Sequence, residues 1–372
     1  MGNTIHNIHA KASLPCVHLP VIAIAGGKGV TYWPDDVPEA IRKSCVLWYD
    51  PARQGCTNES MATNPVLKDL SGNGHYARCY NFAWSGMSGI GGYNVDFSTF
   101  TGKYGTINGN VVTIDTTNSD ITDWLWTSQI DYNGSPFKVN CTFIEVDSNP
   151  NNYVLTFQRP GGTNIYLCSE GYNEVPAISG DEGSKLQFST FGKVKIIIEF
   201  IPEYPNALVS DGVDDYCLVE GLPLLTKERG FTVLAKRKWI SDINSKSQGF
   251  ATKGTSTDWI DGAFYFECVE GNGLAPFNRV FDNSNGQKGV NYISNFTEND
   301  ITYLTSKEYN GSPLNKIGDA VDTDRLSLFK LPSSNPTLLS SIALYSFILF
   351  DRDLTDNEIE WVKTNILGGS NQ

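Results

Sequence analysis

Short β-rich runs separated by Asn-Gly and Asp-Gly pairs dominate this sequence. Such pairs adopt the positive φ that two-residue hairpin turns require, and here they include pairs that begin at Asn108, Asn133, Asp211, Asp261, Asn272, Asn285 and Asn310. The runs rich in β-branched and aromatic residues are 139–146, 153–158, 194–201, 231–235, 263–269, 325–331 and 341–350. Many short strands with frequent turn signals predict an all-β protein of the sandwich or jelly-roll type.

A single C-terminal helix is predicted by a capping box. Thr355 is followed three residues later by Glu358, and the apolar residues Ile359, Val362 and Ile366 then recur at helical spacing before a glycine. A shorter helix is predicted over 38–44. The sequence therefore places its helices at the edges of a β protein.

Charge and composition exclude several classes of protein. Lys and Arg number 28 and Asp and Glu number 41, so the formal net charge is −13, and we expect no nucleic-acid partner. The apolar stretch 17–27 is too short for a bilayer helix and follows no basic segment, so we expect neither membrane insertion nor a secretory signal. The eight cysteines form no C-x-x-C pair, and we interpret them as small buried hydrophobic residues rather than disulfide partners.

Four motifs carry a resemblance to a known superfamily. They are DLSGNGH at 69–75, DGVDDY at 211–216, FTVLA at 231–235 and the segment 344–359. In this order they resemble the laminin-G-like branch of the concanavalin A-like lectin/glucanase superfamily, which implies a jelly-roll sandwich. About 140 residues separate the first two motifs, far more than in a plain module, so we predict a sandwich over 45–105 plus 206–367 and an inserted second β-sandwich over 106–205. Two sandwiches in tandem are the alternative.

A second resemblance concerns the whole chain. The phrases LWYDPARQG at 47–55 and WSGMSGIGGY at 84–93, with the segment 354–366, resemble structural proteins of crAss-like tailed bacteriophages. This implies a virion protein, such as a head fibre on the capsid surface, made in the bacterial cytoplasm and assembled as a homo-oligomer, with a trimer favoured over a dimer. Residues 1–44 would then be an N-terminal arm that docks on capsid proteins, with His6, His9, His18 and Trp33 as contact residues. A tail-associated fibre is an alternative location.

Binding chemistry is predicted at two kinds of residue. Trp84, Trp239 and Trp259 lie near polar loops, where an aromatic ring can contact a sugar of a host or mucus glycan. The laminin-G-like resemblance implies calcium at the sandwich rim, for which Asp214 and Asp215 are the candidate ligands. The alternative interpretation is that these aspartates begin a strand and face water.

Catalytic and other metal motifs are incomplete. Glucanases of this fold carry E-x-D-x-x-E, whereas Glu145-Val146-Asp147 is followed by Pro150 in place of the second Glu, so we predict a strand end and no enzyme. A polysaccharide depolymerase on the same fold is the alternative, and a bacterial surface lectin is a further class. His6, His9, Cys16 and His18 match no zinc-finger spacing, and no cofactor other than calcium is expected.

Overall fold

The computed structural model describes part of the chain, and the account below concerns that part. The described residues are 32–93, 100–102, 104–118, 124–127, 136–146, 154–158, 165–176, 187–190, 192–225, 230–240, 248–254, 262–268, 277–280, 301–305, 308–309, 312–313, 324–330 and 339–368.

The strands fall into three runs along the chain. The first run contains β1 (Cys45–Tyr49), β2 (Val66–Leu67), β3 (Ala77–Tyr80) and β4 (Gly89–Ile90). The second contains β5 (Phe100–Thr101), β6 (Gly105–Asn108), β7 (Val111–Asp115), β8 (Trp124–Thr127), β9 (Phe137–Val146), β10 (Leu155–Gln158), β11 (Ile165–Leu167), β12 (Gly171–Val175), β13 (Gln187–Thr190) and β14 (Val194–Ile201). The third contains β15 (Leu208–Asp211), β16 (Tyr216–Val219), β17 (Thr232–Trp239), β18 (Gln248–Gly254), β19 (Gly262–Cys268), β20 (Phe277–Val280), β21 (Ile301–Thr305), β22 (Glu308–Tyr309), β23 (Ser312–Pro313), β24 (Leu326–Leu328) and β25 (Ser341–Phe350).

Apart from β22 and β23, which pair with each other, the strands of the first and third runs build one sandwich, here called the outer unit. A six-stranded sheet has the order β21-β17-β25-β15-β4, with β1 also paired to β25, and a seven-stranded sheet has the order β2-β3-β16-β24-β18-β19-β20. All these pairings are antiparallel. Side chains of both sheets share one buried core, to which Leu47 and Phe347 contribute from the first sheet and Cys217 and Leu328 from the second. Since the apolar residues of each sheet face each other, the two layers hold together by burial of that surface.

The second run forms a separate sandwich, the inner unit, between β4 and β15. Its two five-stranded sheets have the orders β11-β10-β13-β8-β5 and β12-β9-β14-β7-β6, and they share a core that includes Phe157 and Phe188 from one sheet and Val139 and Ile196 from the other. The chain leaves and re-enters the outer unit side by side, because the Gly91 N–H donates to the Ala207 carbonyl 2.8 Å away. An insertion with adjacent ends leaves the host strands undisturbed. The predicted all-β fold with an inserted second sandwich is confirmed, while the exact domain boundaries stay a prediction.

In the part of the chain that the structure describes, three short helices accompany the outer unit. They are α1 (Glu39–Ser44), α2 (Asn58–Thr63) and α3 (Asp356–Val362), and a π-helical turn (Lys363–Leu367) continues α3. The predicted capping box is present, since the Glu358 Oε2 accepts from the Thr355 N–H at 2.9 Å. The sequence analysis missed α2, which Thr57 and Ser60 cap reciprocally. None of the helices in the described part of the chain has the length and apolar content needed to cross a bilayer.

The motif DLSGNGH forms a turn that is hydrogen-bonded to β1. Asp69 is 8% exposed, and its carboxylate accepts from the backbone N–H groups of Trp48 at 3.0 Å, Ser71 at 2.9 Å and His75 at 3.1 Å. The Asn73 amide donates to the Cys45 carbonyl at 2.7 Å and also to the next carbonyl of β1. Hydrogen bonds to a buried carboxylate are strong, so this motif fixes the turn against the first strand.

Candidate functional site

A turn rich in carboxylates joins β15 to β16, and we call residues 211–215 the acidic turn. Its second residue, Gly212, has φ +77°, and a Cβ there would lie 3.1 Å from the Ser341 nitrogen, so the position requires glycine. The Val213 N–H donates to Asp211 Oδ1 at 2.7 Å, and the Asp211 N–H donates to Asp215 Oδ2 at 3.0 Å. These bonds fold the turn so that carboxylate oxygens of Asp211, Asp214 and Asp215 all lie within 4.8 Å of one another.

Asp215 is the electrostatically unusual member of the acidic turn. Its side chain is fully buried, and Oδ1 has no hydrogen-bond partner among the described residues. Burial raises the pKa of Asp215 to about 7, opposed by the Asp211 N–H and the Ser88 hydroxyl and reinforced by the negative charges of Asp211 and Asp214. A carboxylate oxygen that lacks a hydrogen-bond partner and lies beside two further carboxylates is stabilised by a proton or by a hard cation such as Ca²⁺. The residues therefore fit a calcium ion, and Asp211 joins the two aspartates that the sequence predicted.

The predicted glycan-binding tryptophans are only partly exposed. Trp84 is half-buried and stacks on Phe82 with ring centroids 5.1 Å apart. Trp239 is also half-buried, and the Arg237 guanidinium lies 5.1 Å from the centre of its ring. Both indoles pack against the core of the outer unit, so each offers a sugar only part of its ring. Trp259 lies outside the described residues, and the glycan-binding role of all three stays a prediction.

An exposed and a half-buried tyrosine, neither of which the sequence analysis singled out, form an aromatic surface on the seven-stranded sheet. Tyr80 and Tyr216 are directly opposite each other on β3 and β16, and their rings stack with centroids 4.9 Å apart and an interplanar angle of 15°. The Lys330 ammonium lies 4.7 Å from the centre of the Tyr216 ring, and Arg78 is exposed on the same face of β3. We call Arg78, Tyr80, Tyr216 and Lys330 the tyrosine face. The alternation of small and large polar-tipped residues over 77–80 was the available sequence signal.

The tyrosine face and the acidic turn are joined directly. Asn81 follows Tyr80 at the end of β3, and its side-chain amide donates to the Asp214 carbonyl at 3.0 Å. Tyr216 follows Asp215 in the chain. Aromatic rings, cations and carboxylates therefore lie together at one end of the seven-stranded sheet. This combination suits a ligand with both apolar faces and hydroxyl groups.

The remaining predicted site residues lie elsewhere. His6, His9 and His18 fall outside the described residues. Trp33 is 8% exposed and lies against Trp48 with ring centroids 5.0 Å apart, so little of it is free for a capsid partner. Its docking role stays a prediction. Glu145 is exposed near the end of β9, whereas Asp147 and Pro150 are not among the described residues.

Comparison with known proteins adds little to this site. No protein-family model and no curated protein matches the chain. Among solved structures, it is similar to Trypanosoma rangeli sialidase in complex with sialic acid, with 10% identity and a TM-score of 0.31 over 72% of this chain and 53% of that one. It is similar to the same sialidase in complex with the inhibitor DANA, with the same identity and TM-score over 81% and 68% of the two chains. The chain thus spans about half the length of the first of these structures, and a similarity this low carries no inference about activity.

Proposed function

We propose that this chain is a structural protein of a tailed-bacteriophage virion, a head fibre that attaches the particle weakly to glycans. The N-terminal segment 1–44 would hold the chain to capsid proteins, and the sandwich units would face outward. Support for the virion comes from the phrases at 47–55 and 84–93 and from the all-β architecture.

The observation that carries glycan attachment is the tyrosine face. The stacked pair of Tyr80 and Tyr216 reaches the surface, where Tyr80 is 37% exposed and Tyr216 is half-buried. A flat aromatic surface covers the apolar face of a sugar ring, and Arg78 and Lys330 supply donors for hydroxyl or carboxylate oxygens. We propose that binding at this face of the sheet is weak.

Geometry favours binding over hydrolysis. A glycosidase needs a general acid and a second carboxylate that both reach the scissile bond. Asp215 has the raised pKa of a general acid and neighbouring carboxylates, yet its side chain is fully buried. A group without access to solvent cannot protonate a glycosidic oxygen, so the acidic turn supports a structural or ion-binding role.

Weak sites become effective when many copies act together. A homo-oligomer, which we propose to be a trimer, presents several tyrosine faces at once, and many fibres on one particle multiply that number. Sedimentation equilibrium of the purified chain tests the oligomer: a mass of three chains supports the trimer, and a monomer at all concentrations contradicts it.

The acidic turn is proposed to bind calcium. Three carboxylates and the unpartnered Oδ1 of Asp215 are oxygen ligands of the kind that Ca²⁺ selects. Titration calorimetry on chelator-treated protein should give a binding isotherm that D215N abolishes. Absence of binding heat across the millimolar range would contradict a calcium site.

Glycan attachment is tested with a double variant of the tyrosine face. The purified chain, displayed in many copies on beads, is applied to an array of neutral and acidic glycans. Removal of both rings in Y80A/Y216A should weaken binding about tenfold or more. The matched control is Y172A, which removes an exposed tyrosine from the inner unit. Unchanged binding by the double variant would place the site elsewhere, and binding to no glycan would contradict attachment.

The location of the chain on the particle tests the rest of the proposal. Antibody labelling of intact virions, followed by electron microscopy, should mark the capsid surface. Label on the tail would favour a tail-associated fibre, and label on bacterial envelopes alone would favour a cell-surface lectin. Release of reducing sugars from host capsular polysaccharide by the purified chain would favour a depolymerase.

A further inference from the structure

Two cysteines face each other in the core of the outer unit. Cys79 on β3 and Cys217 on β16 are directly paired, and their sulfur atoms lie 3.1 Å apart. Both are free thiols and both are buried. We infer that they form a reversible disulfide site that a low-molecular-weight disulfide, such as oxidised glutathione, closes. This inference is independent of the proposed function.

The backbone geometry at this pair suits a disulfide. The Cys79 N–H donates to the Pro65 carbonyl at 2.8 Å, toward β2, so Cys79 makes no ladder hydrogen bonds to β16. The pair is therefore of the non-hydrogen-bonded type, in which opposite Cα atoms lie about 4.5 Å apart. That spacing lies within the range of about 4.4–6.8 Å found for disulfides. Closure requires a movement of the sulfur atoms by about 1 Å and no shift of register.

The exchange chemistry balances without any further reagent. One cysteine thiolate attacks the small disulfide, which forms a mixed disulfide and releases one small thiol. The second cysteine attacks the protein sulfur of the mixed disulfide, which forms the Cys79–Cys217 bond and releases the second small thiol. The two protein thiols lose two protons and two electrons. The small disulfide takes up these protons and electrons and becomes two thiols.

Because both cysteines are buried, the reaction is slow and requires local opening of the sheet. Among the described strands, β3 is paired on its outer side with the two-residue strand β2 alone, so local opening at this sheet edge exposes Cys79.

Closure of the site would act on the junction between the two units. Every strand of the inner unit lies between positions 79 and 217 in the chain. The bond would therefore close a loop that contains the whole inner unit and would tie together the two strands that flank it. A covalent link across so long a loop removes much entropy from the unfolded chain, and we expect the Tm of the outer unit to rise by roughly 5–10 °C.

Peptide mapping of the native chain tests the inference. The full chain is incubated with oxidised glutathione at pH 8, free thiols are then alkylated, and the protein is digested with trypsin. Cleavage after Arg78, Lys103, Lys195 and Lys227 gives peptides 79–103 and 196–227, each with one cysteine. We expect these two peptides to appear as one linked species that dithiothreitol separates. Recovery of both cysteines in alkylated form, or linked to other cysteines, would overturn the inference.

Two variants connect the bond to its effect on stability. C217A should give neither the linked species nor a rise in Tm on oxidation, whereas C56A, which alters a half-buried thiol against the same core, should retain both. If C217A does not fold, the peptide map and the Tm of the oxidised and reduced native chain decide the question. A linked species without any rise in Tm would contradict the stabilising effect.

Discussion

Replacement of Asp215 by asparagine tests the electrostatics of the acidic turn. Asparagine retains an oxygen that can accept from the Asp211 N–H, which Asp215 Oδ2 now accepts at 3.0 Å, and it removes the buried charge. The pKa of Asp215 is raised to about 7, chiefly by burial. The substitution therefore isolates the cost of ionising this group from its role in the fold of the turn.

The sign of the effect follows from proton linkage. The folded state holds the Asp215 proton more tightly than the unfolded state, so the stabilisation is fully present below about pH 4 and is lost as pH rises through about 7. A shift of about three pH units corresponds to at most about 4 kcal/mol, since each unit is worth about 1.4 kcal/mol. We expect wild-type protein without calcium to lose much of this amount between pH 5 and pH 8, and D215N to lose none of it.

The assay is urea unfolding at pH 5 and pH 8 in the presence of a chelator, with unfolding monitored by tryptophan fluorescence. D214N is the matched control, because it removes one negative charge from the same turn at an exposed position. We expect D215N to be more stable than wild type at pH 8, and D214N to keep most of the wild-type pH dependence. Equal pH dependence in wild type and D215N would refute the reasoning.

Three further predictions concern the stability of the outer unit, each measured by chemical denaturation. D69A removes the acceptor for three backbone N–H groups and should lower the free energy of unfolding by about 3–5 kcal/mol. A loss below about 1 kcal/mol would contradict the structural role of the Asp69 hydrogen bonds. Hydrogen bonding to Arg352 lowers the pKa of Glu358 to about 2. The contribution of Glu358 to the free energy of unfolding is therefore present above about pH 4.5 and is lost as pH falls toward 2. E358Q should remove this loss of stability at acidic pH. Gly89 has φ +150°, and a Cβ there would contact Asn58 Oδ1, so G89A should destabilise the protein by about 2 kcal/mol or more. An unchanged free energy of unfolding would contradict the close packing at this position.

Local signals predicted many elements of the fold. Strand β14 over 194–201 and strand β25 over 341–350 have the predicted bounds, and the capping box at Thr355 begins α3 as expected. Helix α2 was missed because its capping box uses Ser60 in place of the usual Glu or Gln. Each of these outcomes depends on residues within a few positions of each other, where propensity and capping chemistry act directly.

The sequence by itself determined the all-β class, the turns, the terminal helix and the presence of an insertion. Only the tertiary structure decided that Tyr80 stacks on Tyr216, that Asp211 joins Asp214 and Asp215, and that Cys79 lies opposite Cys217. The tyrosine and cysteine pairings span the whole inner unit, and they depend on the register between β3 and β16. Register is set by how two distant apolar faces fit into one core, and a shift of one residue would turn every such side chain to the opposite face of the sheet. That information is carried by packing over the entire sandwich and by no single motif.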